Sequence, residues 1–327
     1  MKMFKRGVLC GAVLLGGSVP AMAVSPEQIL EAPGPIGPLK GVLLPSTTKA
    51  IATVLIIPGS GPTDHDGNSP VGIKSSTYRL LAEGLAAQRV TTLRLDKRGM
   101  FLSAKAVADV NATRISDYAA DVKAWVEVLR KQTGAPCVWV LGHSEGGLVA
   151  MVSKDQPGVC GLVLVSTAGR PLAQVLREQL KANPGSAAIL PKALPAIDAL
   201  EHGRHVDIKD PDPTLQGLFR PAIQDYVISL FSYDPHKLLA GYAKPVLIVQ
   251  GQRDLQVSEQ DARLLAQADP KAKLVLLPDA NHVLKSVATP DLQANVATYG
   301  NPDLPLASGV VKSVAEFVAA NSGAAAK

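Results

Sequence analysis

The chain has 327 residues, 47% of them hydrophobic and 19% charged, with both signs of charge scattered evenly. That composition describes a folded globule long enough to bury one large core, and it excludes a disordered chain. No apolar run reaches the roughly 18 residues that a membrane-spanning helix needs; the net charge of +5 includes no Lys/Arg cluster in the body of the chain, which excludes nucleic acid as a partner.

Residues 1–23 read as a signal peptide. Lys2, Lys5 and Arg6 make a basic start, Gly7 to Val19 is almost wholly apolar, and Ala21-Met22-Ala23 offers small residues for cleavage. Export to the periplasm or the medium is expected. Cleavage after Ala23 removes three basic residues and no acids, so the charge falls from +5 to +2.

Residues 24–327 read as a single α/β domain, because strand-length apolar runs alternate with helical periodicity. The stretches around Ile29 and Leu39-Leu44 suit antiparallel edge strands. Ala52-Ile57 is the first long apolar run, closed by Pro58-Gly59. A helix over about Thr77 to Gln88 follows, with Ser75 or Ser76 as its cap, then a strand at Val90-Leu95. Ser116 is the expected cap of a helix carrying Tyr118, Val122, Trp125, Val126 and Leu129 on one face, ended by Gly134. Further strands are expected at Cys137-Leu141, Gly161-Val165, Pro245-Val249 and Leu274-Leu277, and a last helix at about Gly309 to Ala320. From about 170 to 233 the strand pattern gives way to helical stretches broken by prolines. This segment reads as a helical insertion between two strands.

Gly142-x-Ser144-x-Gly146 carries the strongest chemical signal. A serine hydroxyl acts as a nucleophile when a sharp strand-to-helix turn exposes it, and glycines let the backbone bend that tightly. Such a serine needs a base, and the base needs an orienting acid. His282 follows the last strand and Asp254 follows the strand at Pro245-Val249. Each of the three falls at the carboxyl end of a different strand, where sheets of this class bind ligands. Asp261 and Asp279 are rival acids. His143 reads as a packing residue that points away from the nucleophile; His202, His205 and His236 read as surface residues. The oxyanion of a tetrahedral intermediate needs aimed donors. The backbone N–H of Glu145 is one candidate, and that of Ser60 the other, with Gly61 in reserve.

Asp64-x-Asp66-Gly67-Asn68 resembles the start of a calcium loop but lacks the later glycine and glutamate, so a carboxylate-stabilised turn is expected and no metal. Asp96-Lys97-Arg98-Gly99 is expected to brace loops through an Asp/Arg network.

The chain resembles bacterial α/β-hydrolase fold serine esterases, in the branch with a Gly-His-Ser-Glu-Gly-Gly elbow. The residues carrying the resemblance are that elbow, the loop at Gly61 to Asn68, the turn at Asp96 to Gly99, Tyr233 to Pro235, Asp254 to Val257, and Asn281-His282. It extends over roughly Leu39 to Ala320 and departs at Met100-Phe101-Leu102. The resemblance implies a mostly parallel doubly wound sheet with a helical cap at about 170–233, and hydrolysis of a small-molecule carboxylic ester through an acyl-enzyme, without a cofactor. Ser144 would attack, His282 would carry the proton, and Asp254 would orient the imidazole. An exopeptidase or amidase with the same three residues, or a non-catalytic binding protein on the same scaffold, remains the alternative. In this fold the strands opened by Cys137 and Cys160 are parallel neighbours, so a disulfide between them is expected, with two buried thiols as the alternative.

Overall fold

The computed structural model describes residues 26–289 and 291–322; the expected signal segment, residues 1–23, lies outside them. In chain order the strands are β1 (Gln28–Ala32), β2 (Leu39–Leu44), β3 (Ala52–Ile57), the short β4 (Asn68–Ser69) and β5 (Ile73–Lys74), β6 (Val90–Leu95), β7 (Val138–His143), β8 (Val159–Val165), β9 (Val246–Gly251) and β10 (Lys273–Leu277). The helices are α1 (Thr77–Ala87), α2 (Ile115–Thr133), α3 (Glu145–Val152), α4 (Leu172–Ala182), α5 (Leu190–Glu201), α6 (Pro213–Phe219), α7 (Gln224–Phe231), α8 (Pro235–Leu239), α9 (Glu259–Ala268), α10 (Leu292–Ala297) and α11 (Val310–Ser322).

The main sheet has eight strands in the order β1-β2-β6-β3-β7-β8-β9-β10. β1 and β2 run antiparallel at one edge, and from β6 to β10 every neighbouring pair is parallel. β7, β8 and β9 are buried along their whole length. That suits strands rich in Val, Leu and Ile covered on both faces. Trp125, Leu148 and Leu265 of α2, α3 and α9 pack on one face of the sheet; Leu81, Leu85, Val314 and Phe317 of α1 and α11 pack on the other. This is the α/β-hydrolase fold.

Helices α4 to α7 lie between β8 and β9 and build a separate apolar cluster around Leu200, Leu215, Phe219 and Phe231. Pro191 and Pro213 sit in the first turns of α5 and α6, where a missing N–H leaves no helical bond unmade. Pro195 is inside α5, so it does not end that helix as a proline-broken reading suggests.

Local chemistry differs from expectation at three places. Ser76 stands at the N-cap of α1, but it is left-handed and makes no cap bond, and the Ser75 hydroxyl bonds Gly67 O instead. α2 begins before Ser116, because the Asp117 carboxylate takes the Arg114 N–H at 2.8 Å and draws the helix start back. Cys137 and Cys160 are joined by a disulfide with Cα atoms 5.1 Å apart, but the two are not register partners. Val138 pairs with Val159 and Trp139 with Gly161, so Cys160 is the extra residue of a bulge. The loop of Asp64 is a carboxylate-stabilised turn: Asp64 Oδ1 accepts from the N–H groups of Asp66 and Asn68, and Asp66 pairs with Arg94.

Candidate active site

Ser144 stands between β7 and α3 with φ 55° and ψ −122°, a strained backbone for a residue with a side chain. The turn closes because its glycines admit backbone where a side chain would collide. A Cβ at Gly142 would lie 2.1 Å from Gly146 O, and one at Gly146 would lie 2.3 Å from Ile57 O. The result is a half-buried serine at the N-terminus of a helix, beside the end of β3.

His282 and Asp254 meet. His282 Nδ1 is 2.8 Å from Asp254 Oδ2, and both side chains are buried. The other carboxylate oxygen accepts the N–H groups of Gln256 and Val257 at 2.8 and 2.9 Å. Burial pushes the Asp254 carboxyl up, but the His282 charge and hydrogen bond and these two backbone donors outweigh it, so its pKa is lowered. An ionised Asp254 holds the proton of His282 on Nδ1 and leaves Nε2 free to act as a base. Asn281 fixes the loop: its Oδ1 accepts from Lys285 N–H, and its Nδ2 donates to Thr298 Oγ1 at 2.7 Å. Of the rival acids, Asp261 is engaged by Arg170 and Ser258. Among the described residues the Ser144 hydroxyl makes no hydrogen bond.

Among the described residues, no acceptor is paired with the backbone N–H of Ser60 or of Glu145. The bond from Lys97 Nζ to Gly59 O, 2.7 Å, acts on the peptide unit that carries the Ser60 N–H. A trans peptide points its N–H opposite its C=O, so this bond sets where Ser60 aims.

Two sets of residues escaped the sequence reading. His143 is more than packing: its Nε2 meets His282 O at 2.8 Å, and its Nδ1 meets the Tyr78 hydroxyl at 2.9 Å. The Tyr78 oxygen accepts from Gly59 N–H at 3.0 Å. Burial, with the neighbouring His282 charge second, lowers the His143 pKa to about 3. The second set surrounds the side chain of Glu145. Lys97 Nζ lies 3.6 Å from Glu145 Oε1 with both side chains buried, and neither Glu145 oxygen has a hydrogen-bond partner. Burial lowers the Lys97 pKa against the pull of Glu145, and burial followed by the Glu145 charge raises Tyr226 well above its ordinary value. The expected Asp/Arg brace exists with other partners, Arg98 to Asp121 and Asp96 to His65.

A cavity of about 750 Å³ opens at Ser144, with Ser60 and Glu145 also in its wall. The insertion supplies Leu172 and Leu176 from α4 and Val227 and Phe231 from α7. Met100 and Phe101, where the turn after β6 departs from the resemblance, line it too, whereas His282 does not. Among the described residues no group of His, Cys, Asp or Glu side chains could hold a metal ion.

Fold and site together define an α/β-hydrolase. The family model Hydrolase_4, serine aminopeptidase S33, matches residues 71–285, and the chain belongs to that family of hydrolytic enzymes. Esterase EstD of Thermotoga maritima is 26% identical over 269 residues, which cover 80% of this chain and 62% of that protein, so the chain spans less than two thirds of this relative's length. Two solved structures share the fold. Est1E from Butyrivibrio proteoclasticus has a TM-score of 0.55 at 17% identity, with 91% of this chain and 98% of that one covered. The Pyrococcus furiosus esterase Pf2001 has a TM-score of 0.58 at 17% identity, with 91% and 92% covered.

Proposed function

We propose that the chain is an exported serine carboxylesterase working through an acyl-enzyme. Ser144 Oγ attacks the ester carbonyl while His282 Nε2 takes its proton, and the N–H groups of Ser60 and Glu145 receive the oxyanion. The tetrahedral intermediate collapses as His282 returns the proton to the leaving alcohol. Water, deprotonated by His282, then attacks the acyl-enzyme and releases the acid and Ser144. Asp254 holds the imidazole and stabilises its protonated form.

The observation that carries this reading is the apolar cavity sharing Ser144 with two unpaired backbone donors. The cavity at Ser144 is walled by apolar side chains of α4 and α7, which suits the acyl group. The relative named an esterase supports the ester as substrate. Aminopeptidase action, which the family description names, would need a carboxylate to grip an ammonium. Among the described residues the one carboxylate in the wall is Glu145, already paired with Lys97. Export, with cleavage after Ala23, belongs to the same proposal, and the disulfide supports an oxidising compartment.

The test is a panel of p-nitrophenyl esters of graded chain length beside aminoacyl anilides. Esters are expected to turn over and anilides not. Ser144→Ala should lose activity by about 10⁴-fold or more, and Asp254→Asn should lose less. Near wild-type turnover by Ser144→Ala on every ester would overturn the assignment.

A further inference from the structure

Three buried hydrogen bonds run in series from the loop after β3 to the loop after β10: Gly59 to Tyr78, Tyr78 to His143, and His143 to His282. Their directions are forced. The His282 carbonyl can only accept, so His143 Nε2 carries the proton. A neutral imidazole then presents Nδ1 as an acceptor, the Tyr78 hydroxyl donates to it, and the Tyr78 oxygen accepts from Gly59 N–H. Every polar group in this series is satisfied with one tautomer, and reversing any link would set two donors or two acceptors face to face.

The placement of the ends gives the chain its meaning. Gly59 immediately precedes Ser60, His143 immediately precedes Ser144, and His282 is the base. Tyr78 reaches in from α1 and belongs to none of those loops. Packing leaves little slack, since a Cβ on Gly59 would stand 3.2 Å from the Ser144 Cβ and 3.5 Å from His143 Nδ1. With Tyr78 on its N–H and Lys97 Nζ on its carbonyl, Gly59 is held from two sides.

We propose that Tyr78 and His143 are positioning residues, which hold the oxyanion loop and the histidine loop at one separation around Ser144. The proposal rests on the serine-hydrolase reading above. The attacking oxygen must reach the imidazole while the developing oxyanion reaches Ser60 and Glu145, so drift between the two loops spoils both contacts at once. An error of 1 Å in such a geometry costs on the order of 100-fold in rate. Substrate binding in the cavity does not use these bonds, so the loss should fall on kcat and leave KM in place.

The experiment uses Tyr78→Phe, His143→Asn and His143→Gln in the mature chain. The readouts are p-nitrophenyl butyrate kinetics, the rate of Ser144 labelling by an alkyl fluorophosphonate followed by intact mass, and the urea midpoint. A Gln amide nitrogen stands close to the place of Nε2 and can still donate to the His282 carbonyl, whereas an Asn amide stands close to Nδ1 and cannot. His143→Asn should lower kcat and labelling by about 100-fold with KM within about twofold; His143→Gln should recover most of that, and Tyr78→Phe should lose about tenfold. Tyr78→Phe removes one oxygen and keeps the ring, so it reports even where a His143 variant does not fold. Unchanged kcat and labelling in folded Tyr78→Phe would overturn the proposal, as would equal losses in His143→Asn and His143→Gln. A wild-type enzyme that is not labelled at Ser144 would overturn the hydrolase reading itself, before any variant is made.

Discussion

Replacing His143 by Gln should flatten the dependence of stability on acid. His143 is buried, and burial pushes its pKa down to about 3 in the folded protein from an ordinary value of 6.5. Between those values the unfolded chain binds one more proton than the folded one at this residue, so stability rises with pH across the window. It is complete above about pH 6.5 and is lost progressively as pH falls toward 3, by about 1.4 kcal/mol per pH unit. From pH 7 to pH 4 the loss due to His143 alone is about 3 kcal/mol. Gln does not titrate, and the variant should lack that part of the slope whatever constant penalty it carries. Urea unfolding of both proteins at several pH values between 4 and 7 measures the difference, since acid-sensitive groups such as Asp254 contribute equally to both curves. Parallel curves for wild type and variant would refute the buried, neutral state assigned to His143.

Thiol titration of residues 24–327, denatured without reductant, should find no free thiols; two would contradict the bond between Cys137 and Cys160. Changing both to Ser should lower stability by about 3 kcal/mol, measured by urea unfolding, because the bond closes a loop of 23 residues. In the cavity, Leu176→Trp adds bulk to the wall contributed by α4 and should reduce kcat/KM for long acyl esters by at least about tenfold while sparing acetate. An equal loss on every chain length would mean that the acyl group lies elsewhere.

The elbow was legible because Gly142-x-Ser144-x-Gly146 stands between an apolar strand and a helix, a context that a chance match lacks. Asp254 and His282 were legible for a related reason: each follows an apolar run of strand length, fully buried in β9 and partly exposed in β10. What escaped reading depends on contacts between distant parts of the chain. Tyr78 looks like one aromatic on an amphipathic helix, and only the folded sheet brings its hydroxyl between Gly59 and His143. No residue type marks the bulge at Cys160, because a one-residue slip in a parallel pair leaves the apolar run unchanged. The start of α2 was misplaced because Ser116 resembles a cap, whereas the carboxylate of Asp117 does the capping. The insertion was recognisable by what it lacked, a strand pattern. Which of its apolar residues turn toward Ser144 and which toward Phe219 is a matter of packing that periodicity alone does not resolve.

The ion pair between Lys97 and Glu145 binds two distant stretches of the chain into one unit of inheritance. If Glu145 became apolar, the buried Lys97 ammonium at the cavity wall would lose its counter-charge, at a cost of up to about 3–5 kcal/mol. If Lys97 were lost instead, the same charge problem would fall on Glu145, and the carbonyl of Gly59 would lose its donor as well. Single steps in either direction are therefore costly, and the turn after β6 and the residue after the nucleophile are expected to change together. The same holds at the bench: a library that varies Glu145 alone will return mostly Glu, whereas one that varies Lys97 and Glu145 jointly opens a route to new oxyanion loops.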